Sequence, residues 1–201
     1  MIIIKYSKTL GAEFIGHMDT LRHINKTIKR AKIDVEFSKG FNPHRNINLS
    51  APLPVGLQSI SEYCVINTDF SATDFVERFN QNSPKGIKCI YAVEVDKKIN
   101  VAHVINRAVY KIEKANLFDV EKFLADKEIL VKDKHGKVFN ARERIFDLHF
   151  EGDTLFTTLS FGSCNFRIDD LLKVLSQEDK IPLKIQALVD EVNIDDIILN
   201  N

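Results

Sequence analysis

Two histidines and an aspartate in the first quarter of the chain have the chemistry of a functional site. His17 and Asp19 are separated by one residue, and His44 follows Pro43 in a segment rich in glycine, proline and asparagine. Imidazole and carboxylate groups that converge can ligate a metal or move protons. If the two segments meet, His17, Asp19 and His44 are candidates for a metal site or for acid–base catalysis. The alternatives are an N-cap role for Asp19 and hydrogen-bonded histidines without chemistry.

Cations surround these three residues. Residues 1–60 carry nine Lys or Arg against four Asp or Glu, and the rest of the chain carries nineteen against twenty-four. A basic face of this kind can follow the phosphates of a nucleic-acid backbone, although a charged helix face can also be merely solvated. The predicted RNA- or anion-binding cations lie on one helix and the loop after it: Arg22, Lys26, Lys29, Arg30, Lys39 and Arg45.

Two further features could assist nucleic-acid binding. The turn from Gly162 to Arg167 resembles an anion-binding strand-to-helix turn, which makes Ser163 and Arg167 candidates. It lacks the spacing of a P-loop, and a plain tight turn is the alternative. Aromatic rings beside the basic loop could stack on bases, or could belong to the core: Phe37, Phe41 and Tyr63.

Composition limits the class of protein. The chain has 201 residues, of which 44% are hydrophobic and 28% charged, as in globular proteins. It contains no apolar run long enough to span a bilayer and no signal peptide, so we expect a cytoplasmic protein without a membrane partner. Its three cysteines form no CxxC pair and are expected to be buried. No cofactor is predicted.

The periodicity of apolar residues predicts an α+β fold of two tandem ferredoxin-like (βαββαβ) units with antiparallel sheets. The first unit spans residues 1–96 and carries the basic face with the His/Asp cluster. The second spans residues 103–201 and begins with a strand over 103–113. An amphipathic helix is expected over 18–31, and a second helix capped by Ser71 is expected to run to about Phe79.

Several motifs resemble the radical SAM-associated domain-of-unknown-function family, whose domain occurs fused behind a radical SAM module or as a separate short protein. The resemblance covers most of the chain. It rests on His17-Met18-Asp19, Arg30-Ala31, Phe37-Ser38-Lys39-Gly40-Phe41-Asn42-Pro43-His44, Pro52-Leu53-Pro54-Val55-Gly56 and Gly162-Ser163-Cys164-Asn165-Phe166-Arg167.

This resemblance implies a radical SAM protein as partner. The chain has no CxxxCxxC motif and so lacks the thiolate set for the iron–sulfur cluster of that chemistry. We therefore expect an accessory module that binds a structured RNA, such as tRNA or rRNA, and is not itself catalytic. The alternatives are an RNA-processing or metal-dependent hydrolytic enzyme that uses His17 and His44, and a pure protein–protein interaction module.

Overall fold

The computed structural model describes residues 1–96, 99–132 and 136–200. Its strands are β1 (Ile2–Lys8), β2 (Ile47–Leu49), β3 (Gln58–Ile66), β4 (Ile87–Glu94), β5 (Arg107–Ile112), β6 (Leu130–Lys132), β7 (Val138–Asn140), β8 (Ile145–Glu151), β9 (Thr154–Ser160), β10 (Pro182–Val189) and β11 (Val192–Asn193). Its α-helices are α1 (His17–Arg30), α2 (Ala72–Asn82), α3 (Val101–Val104), α4 (Val120–Ala125), α5 (Ile168–Val174) and α6 (Ile194–Leu199).

Nine of these strands form one sheet. Its order is β4-β1-β3-β10-β5-β9-β8, with β2 also paired to β3 and β11 paired to β10, while β6 and β7 form a separate hairpin. The strand pairs are antiparallel except at the junction of β3 with β10, where Gln58 and Ser59 lie beside Leu183 and Lys184 in a parallel register. The predicted α+β class with a mainly antiparallel sheet is confirmed, and one parallel junction is the exception.

The two halves of the chain share this sheet and part of its core. Ile2 and Ile4 of β1 face α1 and α2, in a cluster formed by the first half alone. Ile3, on the opposite face, packs in a cluster that includes many residues of the second half. Both faces of β1 are therefore buried, which explains its run of isoleucines. The division into 1–96 and 103–201 stays a prediction.

Local signals place several elements where the sequence predicts them. The Ser71 side chain accepts a hydrogen bond from the Asp74 amide and caps α2, as predicted. On α1, Ile24 and Ile28 are buried but Met18 is exposed. The predicted strand over 103–113 is wrong at its start, because α3 occupies 101–104 before β5 begins at Arg107.

The cysteines divide into two kinds. Cys64 and Cys89 are buried as predicted, but Cys164 is exposed in the turn Gly162–Cys164. Burial raises the pKa of the Cys64 thiol and raises that of Cys89 to about 12. Because the thiolate is the reactive form, neither buried cysteine should react readily in the folded protein.

We therefore expect a chromogenic disulfide reagent to modify one thiol quickly in the native protein and all three in denaturant. The variant Cys164→Ser should lose the fast phase. A fast phase that survives this substitution would show that a second thiol is accessible.

No helix within the described ranges is both long and apolar enough to cross a bilayer.

Candidate nucleic-acid interface

The start of α1 brings His17 to the wall of a cavity. Gly16 precedes the helix in an extended conformation and its carbonyl accepts the Thr20 amide at 2.9 Å, so Gly16 is the N-cap. The alternative that Asp19 caps the helix is wrong, because Asp19 lies within the first turn, three residues after Gly16. Burial lowers the pKa of His17, an effect that nearby Glu62 opposes and Lys8 reinforces.

Asp19 instead pairs with a cation of its own helix. Its carboxylate lies 2.7 Å from the Arg22 guanidinium, and both side chains are more than half exposed. Such an exposed pair contributes about 0–1 kcal/mol to stability. Arg22 therefore presents only part of its charge to a ligand.

The other predicted cations of α1 differ in availability. Arg30 donates to the Asn82 carbonyl at 2.7 and 3.2 Å, which fastens α1 to the carboxyl end of α2. Lys26 and Lys29 are exposed, and within the described residues they have no carboxylate partner. Lys26 and Lys29 are therefore the cations of α1 whose charge is available to a ligand.

The loop before β2 is held as a small ribbon. Ser38 donates its amide to the His44 carbonyl at 2.8 Å, and the Ser38 hydroxyl accepts the His44 amide at 3.1 Å. The same hydroxyl lies 3.0 Å from Nδ1 of His44. Next to this pair, Phe37 and Arg45 form an isolated β-bridge. His44 is thereby engaged within its own loop.

This ribbon presents cations and aromatic rings to solvent. Phe41 is fully exposed and Phe37 is 54% exposed. The Arg45 guanidinium lies 5.2 Å from the Phe37 ring centroid, and Nε of Arg45 is buried without a hydrogen-bond partner in the described structure. Lys39 is exposed between the two phenylalanines. The third predicted stacking ring, Tyr63, is instead fully buried in the core.

The structure distributes the three predicted catalytic or metal-binding residues over separate contacts. His17 lines the cavity, Asp19 pairs with Arg22, and His44 bonds Ser38. In the described parts of the chain, no group of three His, Cys, Asp or Glu side chains could hold a metal ion. Their catalytic and metal-binding roles stay predictions.

The turn from Gly162 to Arg167 depends on the backbone conformation of its glycine. Gly162 has a φ of +74°, and a Cβ there would lie 3.1 Å from the Ile105 carbonyl oxygen, so any other residue would be strained at this position. Ser163 is exposed, whereas Arg167 pairs with Asp169 at 2.6 Å. Ser163 and Arg167 as anion ligands stay a prediction, and the Arg167 charge is already shared with a carboxylate.

The sequence reasoning missed a buried glutamate near the start of α1. Glu13 accepts the Gly11 amide at 2.7 Å and the Gln58 side chain at 3.0 Å, while its carbonyl accepts the Gly56 amide at 2.8 Å. It therefore joins the segment before α1 to the turn before β3. Exposed apolar side chains lie on these two segments and on the first turn of α1: Leu10, Phe14, Met18 and Val55.

It also missed a polar cluster between the two ends of the chain. Asp195 at the start of α6 accepts hydrogen bonds from Lys5 at 2.5 Å, Tyr63 at 2.6 Å and Tyr91 at 2.5 Å. Lys5 and Asp195 are separated by 190 residues, and no local pattern signals their contact. The only available hint was a lysine within the apolar run of β1.

These observations define an α+β protein of one shared sheet, with free cations on α1 and a basic, aromatic ribbon before β2. Residues 1–179 match the family described as an uncharacterized protein conserved in bacteria (DUF2344), and the chain belongs to this family. No curated protein matches the chain. The family match ends before α6 and therefore does not include Asp195.

Proposed function

We propose that this protein is a cytoplasmic RNA-binding accessory module, not itself catalytic, that works with a radical SAM enzyme on a structured RNA. The observation that carries the RNA part is the set of free cations beside exposed aromatic rings. Lys26, Lys29 and Lys39 are exposed without carboxylate partners in the described structure, and the exposed Phe37 and Phe41 flank Lys39 in sequence. Cations that follow a backbone and rings that stack on bases are the usual parts of a single-strand binding surface.

The variant Lys26→Gln/Lys29→Gln/Lys39→Gln tests this proposal. Each phosphate contact contributes roughly 0.7 to the slope of log affinity against log salt for a single strand, so the slope should fall by about 2. Fluorescence anisotropy with a labelled single-stranded RNA at several salt concentrations measures it. We expect the affinity at low salt to fall with the slope.

A matched control removes three exposed lysines of the second half: Lys114, Lys122 and Lys127. The control has the same net charge as the test variant, so it should keep the wild-type slope. If the salt slope fell equally in both variants, RNA binding would depend on the net charge of the protein and not on this surface. A wild-type protein that binds no RNA at low salt would rule out the RNA-binding proposal.

The partner enzyme is supported by the resemblance to the radical SAM-associated family and by the exposed apolar side chains around Glu13. Leu10, Phe14, Met18 and Val55 are each more than half exposed. Apolar side chains grouped on neighbouring segments are a common feature of protein interfaces. They also favour the second candidate function, a pure interaction module, in which the same side chains dock a partner and no RNA is bound.

RNA binding distinguishes the two candidates, and sedimentation of the purified chain with a radical SAM protein of the same organism tests the partner that both require. The variant Phe14→Ser should weaken complex formation and leave RNA affinity unchanged. An RNA affinity that falls with Phe14→Ser would place these side chains in the RNA surface instead.

We also propose that the two halves are a duplicated ferredoxin-like unit. Two matching strand orders support it. The first half is arranged β4-β1-β3-β2, and the second contains β10-β5-β9-β8, so in each half the first strand lies between the last and a middle strand. The β6–β7 hairpin is then an insertion into the second unit.

A further inference from the structure

A cavity of about 300 Å³ lies at the edge of the sheet beside β2. Its walls come from four parts of the chain: the start of α1, the whole of β2, Val65 of β3, and the segment 99–102 that leads into α3. Ligand sites usually measure roughly 300–1,000 Å³, so this cavity is at the small end of that range. It suits a single ring system better than an extended cofactor.

The walls combine apolar side chains with a few polar groups. Leu21, Val65 and Val101 contribute apolar surface. Asn48 and Asn100 also line the cavity, and both residues are exposed. Within the described residues, neither side-chain amide has a hydrogen-bond partner. Apolar faces combined with a few unpaired amides are suited to a planar ligand that carries polar atoms on its edge.

His17 adds a third polar group to the same cavity. Burial lowers the pKa of His17 from an ordinary value that is already below 7, so the neutral imidazole, with one donor and one acceptor, predominates at pH 7. Among the described residues that line the cavity there is no carboxylate, lysine or arginine. A neutral ligand with mixed donors and acceptors is therefore better matched than an amine or an acid.

We propose that this cavity binds one unpaired nucleobase, with the ring between the apolar walls and its edge facing His17, Asn48 and Asn100. Nucleobases combine an apolar, stackable face with donors and acceptors around the ring, and asparagine amides pair well with such edges. The inference rests on the proposed function, since it identifies unpaired nucleotides as the part of the RNA that the basic surface recognises.

The position of the cavity favours a base from an RNA strand over a free nucleotide. β2 continues directly from the ribbon that carries Lys39 and Arg45. Leu21, in the cavity wall, lies on the same helix as Lys26. In this proposal the RNA backbone follows these cations and one base enters the cavity.

The variant Ala102→Trp tests the cavity by filling it. Ala102 is a partly buried lining residue, so the larger side chain occupies the base site without leaving a void. Loss of one stacked base should weaken binding of a labelled single-stranded RNA roughly 5- to 150-fold. Binding of the same sequence as a duplex should not change, because its bases are not free to enter.

Ala125→Trp is the matched control, because Ala125 is exposed at the end of α4 in the second half. It should keep wild-type affinity for both RNAs. If the wild-type protein binds single-stranded RNA and Ala102→Trp does so equally well, the base pocket is excluded and the proposed function stands.

Free adenosine and uridine 5′-monophosphates form the second arm of the test. Their addition should shift the His17 ring signals in the NMR spectrum of wild type but not of Ala102→Trp, with the exposed His149 as internal reference. Such shifts without any RNA binding would overturn the proposed function and keep the pocket as a free-nucleotide site. If the His17 signals did not shift and the protein bound no RNA, both the base pocket and the proposed function would be overturned.

Discussion

Replacement of Lys184 by methionine is expected to lower the free energy of unfolding by about 3–5 kcal/mol. Lys184 is completely buried and its Nζ lies 2.9 Å from Oε1 of Glu62, whose side chain is only 4% exposed. The Ser59 hydroxyl donates to the same oxygen at 2.8 Å, and Nζ lies 4.3 Å from the centroid of the Phe161 ring. Removal of the cation alone leaves a buried carboxylate without its counter-ion.

The double variant Lys184→Met/Glu62→Leu separates loss of the pair from loss of packing. Two apolar side chains of similar volume remove the uncompensated charge, so most of the stability should return, with about 1 kcal/mol still lost for the Ser59 hydroxyl. Urea unfolding followed by circular dichroism measures these differences, since the chain contains no tryptophan.

Lys111→Met is the matched control. Its ion pair with Glu113 has side chains that are 34% and 69% exposed, and such pairs contribute about 0–1 kcal/mol. A Lys184→Met variant as stable as this control would show that loss of the cation does not leave Glu62 as an uncompensated buried charge.

This ion pair also illustrates which parts of the fold the sequence could predict. The Ser71 cap of α2 and the turn between β8 and β9 depend on residues a few positions apart, and both were predictable. The pairing of β3 with β10 joins residues 58–59 to residues 183–184 and leaves no local pattern. Lys184 was therefore not recognised as a buried residue, because burial of a lysine depends on a partner 122 residues away.

The sequence predicts which charged residues of the candidate interface are exposed, but it predicts less well which aromatic rings are exposed. That Lys26, Lys29 and Lys39 are exposed follows from residue type and the amphipathic pattern of α1. That Phe41 is exposed and Tyr63 buried does not follow, because residue type alone does not decide whether an aromatic ring faces the core. The cavity at β2 needs segment 99–102, which approaches α1 only through tertiary packing.

Replacement of Asp195 by asparagine is expected to cost about 2–3 kcal/mol at pH 7, since hydrogen bonds to a charged group are stronger than neutral ones. Asp195 and Lys5 are 17% and 12% exposed, and Tyr63 and Tyr91 donate to the same carboxylate. The variant keeps the shape but leaves Lys5 without a counter-ion. It should therefore loosen the contact of α6 with β1, β3 and β4.

The destabilisation caused by Asp195→Asn should decrease as the pH falls. Burial alone would raise the pKa of Asp195, but hydrogen bonds from Lys5, Tyr63 and Tyr91 outweigh it and hold the pKa below its usual value. A carboxyl group with a lowered folded-state pKa contributes its stability above the unfolded pKa of about 3.9 and loses it as the pH falls through the folded value. The difference between wild type and Asp195→Asn should thus be full at pH 6–7 and shrink in acid.

Asp196→Asn is the control, because Asp196 is the next residue of α6 and is exposed. It should change the free energy of unfolding by less than about 0.5 kcal/mol at either pH. Urea unfolding at pH 7 and at pH 3 compares the three proteins. If Asp195→Asn lowered the free energy of unfolding equally at both pH values, the carboxylate charge would not be what holds α6 on the sheet.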